Sequence, residues 1–356
     1  MRPHIGIPRL LGGVTTHRPA ELSRTATLSG TATLIAAALL TGCGGGSAAT
    51  EAPASNATPA ASTNPAPLGT PTSVSSVSAT DGSESPSAET TRATSTRPPD
   101  LARVVTAAGV SQYLDCAGEG APTILIVPGL DSSIDDWLPV LPALREQSRT
   151  CVYDRPGIGD SPAREGGVRV DAGLHAEELS ALLTEAGEDG PYLVVGHSYG
   201  GLVARAFIND QRSRVAGVVL AEGVTPFDDT NGSDWPEGGT VVDLPLSYQA
   251  TGDGPSLGAT PLVVLRASDP EGDHLGGPRY GQSQQVTDAW IAGQQAALSL
   301  SSNSIGVEAT SGHVLQQDDP AAVIKSVAVV LAAARAGTPL SCAGDWQAVA
   351  ATCTDP

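Results

Sequence analysis

The sequence is poor in basic side chains. It has 19 Lys and Arg against 38 Asp and Glu among 356 residues, a formal net charge of −19 at pH 7. Residues 1–42 hold four Arg against one Glu, and residues 43–100 hold two Arg against five acids, so residues 101–356 carry the whole acidic charge. An acidic body repels phosphate backbones and anionic lipid, which argues against a nucleic-acid partner.

The sequence also lacks the paired spacings that are typical of metal sites. No CxxC or HxxxH pattern occurs, and we predict no bound metal. Cys116, Cys151, Cys342 and Cys353 are an even set in a chain that we expect to fold outside the reducing cytosol, which predicts two disulfides. Three pairings are possible. The short separation favours Cys342 with Cys353, which leaves Cys116 for Cys151.

The apolar run near the N-terminus, residues 32–40, is too short for a permanent transmembrane helix. It follows a basic stretch and precedes Leu40, Thr41, Gly42 and Cys43, a pattern similar to the lipobox at which lipoprotein precursors are cut. We predict a lipoprotein signal peptide over 1–42, acylation of Cys43 and anchoring to the outer face of a bacterial cell membrane. The alternative is an ordinary cleaved signal in which Cys43 has no role.

Large apolar side chains are almost absent from the next segment. Residues 43–100 are rich in Ala, Ser, Thr, Pro and Gly, so they cannot bury enough surface to offset their ordering entropy. We predict a disordered tether there, a folded domain over 101–336, and a C-terminal tail over 337–356 that carries the Cys342–Cys353 bridge.

Within residues 101–336, short apolar runs alternate with segments of helical spacing. This alternation predicts an α/β fold with a mostly parallel sheet flanked by helices. Two earlier segments, 102–106 and 111–114, are expected to form an antiparallel hairpin at the edge of the sheet. The predicted inner strands are 123–127, 151–153, 192–195, 215–221, 262–265 and 305–308.

A GxSxG sequence, residues 196–200, directly follows the apolar run 193–195. A strand that turns sharply into a helix at Gly-x-Ser-x-Gly presents the serine hydroxyl, so Ser198 is the candidate nucleophile. The N–H groups of Leu130, in the Gly-containing turn after strand 123–127, and of Tyr199 would form an oxyanion hole. Asp154 and Arg155 are expected to brace loops rather than to touch substrate.

Five segments together resemble the α/β-hydrolase fold superfamily over nearly all of 101–335. They are VPGLDSSIDDW, CVYDRPGIGDS, VVGHSYGG, VVLAEG and SGHVLQQDDP. The resemblance implies the chain order nucleophile, acid, histidine, which makes His313 the expected base. We expect His274 to be solvated, His197 to pack behind the serine, and His175 to lie on the surface.

The resemblance leaves two candidates for the acid. Asp269 follows strand 262–265, where most members of the superfamily place the acid, but it comes one residue early and Pro270 occupies the matching position. Glu222 follows the preceding strand, where certain haloalkane dehalogenases place theirs. Both remain open, and either would accept a hydrogen bond from His313.

The expected activity is that of a cell-surface serine hydrolase, most simply a carboxylesterase that forms an acyl-enzyme on Ser198 without a cofactor. A short, Gly- and Pro-rich lid segment between Glu222 and Thr260 favours a small-molecule ester, and no protein partner is predicted. Thioesterase, amidase, peptidase or perhydrolase activity would use the same residues. The alternative from another class is a lipid-anchored binding protein without turnover.

Trp290, Gln294 and Gln295 are candidates to line the substrate pocket, although Trp290 also fits the ordinary hydrophobic core.

Overall fold

The computed structural model describes residues 99–224, 234–252, 257–268 and 284–355. Residues 1–98, which include the predicted signal peptide, Cys43 and all but the last two residues of the predicted tether, lie outside the described residues. The strands are β1 (Leu101–Ala107), β2 (Val110–Ala117), β3 (Thr123–Val127), β4 (Thr150–Tyr153), β5 (Arg169–Val170), β6 (Tyr192–His197), β7 (Val215–Ala221), β8 (Trp235–Glu237), β9 (Thr240–Val242), β10 (Leu262–Ala267), β11 (Ser304–Ala309) and β12 (Ala351–Thr354).

The main sheet has the strand order β1-β2-β4-β3-β6-β7-β10-β11-β12. The six strands from β4 to β11 in this order run parallel to their neighbours. The hairpin β1–β2 closes one edge in antiparallel pairing, and β12 pairs antiparallel with β11 at the other. The predicted fold class, a mostly parallel sheet flanked by helices, is confirmed.

Seven α-helices lie between the strands along the described parts of the chain. They are α1 (Leu141–Gln147), α2 (Ala172–Ala186), α3 (Tyr199–Gln211), α4 (Leu244–Thr251), α5 (Gln284–Ala297), α6 (Leu315–Asp318) and α7 (Pro320–Ala336). The sequence sets the ends of α2: the Asp171 side chain accepts from the N–H groups of Gly173 and Leu174, and Gly187 ends the helix at φ 75°. Across the described ranges, no helix has the length and hydropathy to cross a bilayer.

The apolar strands bury both of their faces. Along β3, Leu125 and Val127 belong to one hydrophobic cluster, whereas Ile124 and Ile126 belong to the cluster on the opposite side of the sheet. Successive strand side chains point to opposite faces, so a strand that is covered by helices on both sides needs a continuous apolar run. Full burial of one such aliphatic side chain stabilises the fold by roughly 1.5–3 kcal/mol.

A second sheet of three short strands has the order β5-β9-β8, and two of its strands, β8 and β9, lie in the region predicted as a lid. Strands β8 and β9 form an antiparallel hairpin, and β9 pairs in parallel with β5. Helix α4 follows the hairpin and contacts α2 and α3. The described part of the lid, 234–252, is therefore anchored to the domain; its other residues, 225–233 and 253–256, lie outside the described ranges.

The structure contains both disulfides in the pairing that the spacing favours. Cys116 and Cys151 face each other across β2 and β4, and Cys342 is joined to Cys353 of β12. The second bridge closes the C-terminal tail onto the strand that completes the sheet edge.

Candidate active site

Ser198 occupies the sharp turn between β6 and α3. Its backbone has φ 51° and ψ −128°, a strained combination for a residue with a side chain. The turn is held by hydrogen bonds from the Ser198 N–H to the carbonyl of Ala221 and from the Val224 N–H to the carbonyl of Ser198. The fold thus forces the serine into this conformation and leaves its side chain at the end of a central strand.

The glycines around Ser198 are required by close packing. A Cβ on Gly200 would overlap the carbonyl oxygens of Val127 and Pro128, and one on Gly196 would lie 2.8 Å from the Cβ of Ala204. A Cβ on Gly201 would lie 2.7 Å from the Cα of Gly223. Only glycine lets the helix start so close to the neighbouring strands, which explains the GxSxGG pattern physically.

Glu222 follows β7 and is completely buried. It also has a positive φ of 47°. Its Oε1 accepts from the N–H of Ala267 at 2.7 Å, and its Oε2 accepts from Nε1 of Trp290 at 2.9 Å. The same Oε2 lies 3.3 Å from Nδ1 of His313. Three groups from three different elements therefore hold the carboxylate.

His313 lies in the loop between β11 and α6 and is 8% exposed. Its carbonyl oxygen accepts from Nε2 of His197 at 2.9 Å, which ties its loop to the residue before Ser198. The Trp290 ring meets the imidazole of His313 edge-to-face at a centroid distance of 5.6 Å. The structure thus brings His313, Glu222 and the serine turn to one end of the sheet.

Burial dominates the electrostatics of this pair. It raises the pKa of Glu222 to about 8, against the lowering effect of the hydrogen bonds from Ala267 and Trp290. Burial also lowers the pKa of His313 to about 4. Both shifts disfavour the state in which Glu222 is negative and His313 is positive. Because the two groups are in contact, they titrate as one coupled unit. At neutral pH His313 is therefore uncharged while Glu222 holds a proton, and this proton must leave before His313 can act as a general base.

The two expected oxyanion donors belong to segments that adjoin Ser198. Tyr199 is the first residue of α3, so its N–H has no acceptor within the helix. On the other side, the loop after β3 comes so close that a Cβ on Gly129 would lie 3.2 Å from the Cβ of Ser198. Leu130 follows Gly129 in this loop. Both segments that carry the expected backbone donors therefore lie next to Ser198.

Two residues of α5 support Glu222 in ways that the sequence did not reveal. Trp290, which also fitted ordinary core, donates a hydrogen bond to the carboxylate. Gln294, one turn later, donates through Nε2 to the carbonyl of Gly223 at 2.6 Å. Their spacing of four residues on one helix was visible, but nothing in the sequence indicated which strand end α5 contacts.

The predicted surface position of His175 is wrong. It is 3% exposed, and its Nδ1 lies 3.0 Å from the hydroxyl of Tyr199. Burial lowers its pKa to about 3, so it is neutral. A polar side chain on a helix is expected to face solvent when its partner is unknown. The partner of His175 is Tyr199 on α3, and the sequence does not show that the two meet.

Three further predictions concern the loop residue Asp154, the residues Asp269 and His274, and bound metal. Asp154 binds the N–H groups of Ile134 and Asp160, which is the loop-bracing role expected of it. Asp269 and His274 lie outside the described residues. In the described ranges, the one group of possible metal ligands is Cys116, Cys151 and Glu188, and both cysteines are already joined in a disulfide.

Residues 122–238 match the family model of the α/β hydrolase fold. A presumed ancestral haloalkane dehalogenase superposes with a TM-score of 0.50 at 15% identity, over 66% of this chain and 99% of that chain. At this identity the likeness concerns the fold alone. The sheet order and the match of residues 122–238 together show the α/β-hydrolase fold.

Two curated relatives illustrate how far sequence similarity extends. The uncharacterized protein YqjL of Bacillus subtilis is 26% identical over 217 residues, which are 57% of this chain and 81% of that protein. The presumed carbamate hydrolase RutD of Enterobacter cloacae is 31% identical over 105 residues, which are 30% of this chain and 39% of that protein. The match to the family model supports hydrolase activity for this chain.

Proposed function

We propose that this protein is a serine hydrolase that cleaves small carboxylic esters through an acyl-enzyme on Ser198. The observation that carries the proposal is the buried contact between Glu222 and His313 beside a strained serine turn. The buried carboxyl group of Glu222 and the strained backbone of Ser198 both destabilise the fold. Such destabilising features are typical of functional sites.

The proposed reaction has two steps. In the first, His313 removes the proton from the Ser198 hydroxyl, the serine oxygen attacks the ester carbonyl, and the N–H groups of Leu130 and Tyr199 stabilise the oxyanion. The proton then passes to the departing alcohol as the ester C–O bond breaks. In the second, water attacks the acyl-serine, and the released acid leaves Ser198 and His313 in their starting states.

Glu222 is the proposed acid of this triad. When ionised, Glu222 accepts a hydrogen bond from Nδ1 of His313, which fixes the tautomer with a free Nε2 and stabilises the imidazolium that forms during proton transfer. A serine nucleophile in place of a carboxylate favours acyl transfer over dehalogenase or epoxide-hydrolase chemistry, which pass through an alkyl ester on the enzyme. No cofactor is required by this scheme.

We further propose that the enzyme acts outside the cell, held to the membrane by lipid on Cys43 and by the segment 43–100. Two disulfides support an oxidising compartment. The lipobox-like residues 40–43 support acylation. The acidic domain would remain in solution near the membrane and would meet soluble substrates.

The function is tested by a substrate screen with the wild type and Ser198→Ala. We expect hydrolysis of p-nitrophenyl esters of short acyl chains, lost in the variant. Thioesters, amides and carbamates belong in the same screen, because one relative is named for carbamate hydrolysis. Turnover of none of these classes by folded wild type would favour a binding protein on the hydrolase fold.

A further inference from the structure

A buried ion pair between Arg155 and Glu237 lies beside the oxyanion loop, which we define as residues 128–131. The two side chains are about equally buried, at 2% and 3% exposure. Arg155 donates through Nε to Oε2 of Glu237 at 2.9 Å and through Nη2 to Oε1 at 2.6 Å. Such a bidentate pair is geometrically rigid, and it joins the loop after β4 to the lid strand β8.

Both members of the pair also bind the backbone of the oxyanion loop. Arg155 donates through Nη1 to the carbonyl of Pro128 at 2.7 Å and through Nη2 to the carbonyl of Gly129. Glu237 Oε1 accepts from the N–H of Asp131 at 2.8 Å. Three consecutive peptide groups of the loop are therefore held by one ion pair. The loop needs such support because Asp131 has a positive φ of 54°.

The contact with Gly129 fixes the direction of the Leu130 N–H. The carbonyl of Gly129 and the N–H of Leu130 belong to one planar trans peptide group, so they point in opposite directions. Because the guanidinium of Arg155 holds the carbonyl, the N–H must point away from Arg155. Gly129 itself packs against Ser198. A cation on the carbonyl also polarises the peptide group and makes its N–H a stronger donor.

Arg155 also contacts the residue that carries the second donor. Its guanidinium carbon lies 5.4 Å from the centroid of the Tyr199 ring, and the Tyr199 hydroxyl is in contact with His175. One cation thus touches the elements that carry both expected oxyanion donors.

We infer that Arg155 and Glu237 are positioning residues that orient the oxyanion loop, and that the lid strand β8 is a structural part of the oxyanion hole. This inference rests on the proposed function, because it assigns the pair a role in stabilising the oxyanion formed on attack by Ser198. Burial raises the pKa of Glu237, but the charge and hydrogen bonds of Arg155 outweigh it and keep the pKa lowered, so the pair stays ionised.

The test compares three variants. Arg155→Lys keeps the charge but cannot bind both carbonyls and Glu237 in the same planar geometry. Glu237→Gln keeps the shape and weakens the pair from its other side. Glu188→Gln is the matched control, because Glu188 forms the equally buried pair with Arg149, whose side chains are each 3% exposed, away from the serine turn. The measurements are the rate at which a fluorophosphonate probe labels Ser198, kcat and KM for a p-nitrophenyl ester, and inhibition by a boronic acid that forms a tetrahedral adduct.

We expect Arg155→Lys to lower the labelling rate and kcat by about 10- to 100-fold, with little change in KM. This is less than the loss on removing an oxyanion donor outright, because the variant misaligns the donor but does not delete it. Boronic acid affinity should fall by a similar factor, and the pH profile should not move. Glu237→Gln should act in the same direction. Glu188→Gln should lower thermal stability but leave the rates unchanged, which separates positioning from general destabilisation.

Each outcome decides the inference. If the wild type is labelled and Arg155→Lys reacts at the same rate, or if Glu188→Gln loses as much activity, the inference is wrong while the proposed function stands. If the wild type is not labelled at all, both fail together. Should Arg155→Lys not fold, Glu237→Gln decides by the same criteria.

Discussion

Oε2 of Glu222 lies 3.3 Å from Nδ1 of His313, although 91 residues separate the two in the chain. They come from the ends of β7 and β11, with β10 between them in the sheet. Parallel strands place their carboxyl ends at one edge, so side chains from distant parts of the sequence meet there. The contact favours Glu222 over Asp269 as the acid, a choice that the sequence left open.

The choice of acid gives a first prediction. Glu222→Gln should lower kcat by about 10⁴-fold, the magnitude seen when a triad acid is replaced by its amide, because the His313 tautomer is no longer fixed. Asp269→Asn is the matched control and should retain most of the activity. Steady-state kinetics on folded variants measure both. Loss of activity in Asp269→Asn with retention in Glu222→Gln would reassign the acid.

A second prediction concerns the pH dependence. Trp290 donates to the charged form of Glu222, whose pKa burial already raises to about 8. Removing this donor in Trp290→Phe should raise the pKa further. His313 is ready to act as a base only after the coupled pair has lost a proton, so the acidic limb of the kcat/KM profile should move to higher pH, by about one pH unit.

The control for this variant is Gln294→Met. It removes the neighbouring hydrogen bond from α5 to the backbone of Gly223 but leaves the carboxylate contacts in place. Its acidic limb should stay where it is in the wild type. An unmoved limb in Trp290→Phe, with activity reduced equally at every pH, would show that Trp290 acts only through packing.

A third prediction tests the anchor. Cys43→Ala removes the sulfur to which lipid would be attached, and we expect the protein to move from the membrane fraction to the medium. Stable anchoring needs more than one acyl chain, so loss of this single cysteine should abolish it. Fractionation followed by intact-mass measurement checks the result, with Cys342→Ala as a cysteine control. Continued membrane retention of Cys43→Ala would contradict lipid attachment at this residue.

Much of the fold could be predicted because its signals are local. The apolar runs 123–127 and 215–221 coincide with β3 and β7, since strands buried on both faces leave no other pattern. The glycines beside Ser198 likewise identify the serine turn, because only glycine fits there.

The parts that the sequence did not reveal depend on contacts between distant segments. Arg155 and Glu237 are 82 residues apart, and Glu237 sits in a Gly-rich lid segment where an acidic side chain reads as solvated. His175 was expected at the surface for the same reason. Both are buried because each meets a polar partner from another element, and periodicity along one helix or loop cannot identify that partner.

The most direct test of the account is covalent labelling of the purified protein with a fluorophosphonate probe, with mass spectrometry to locate the adduct. We expect one adduct on Ser198 in the wild type and none in Ser198→Ala, because only a serine activated by His313 attacks phosphorus rapidly. A folded wild-type protein with both disulfides formed that is not labelled, or is labelled elsewhere, would contradict the proposal that Ser198 is a catalytic nucleophile.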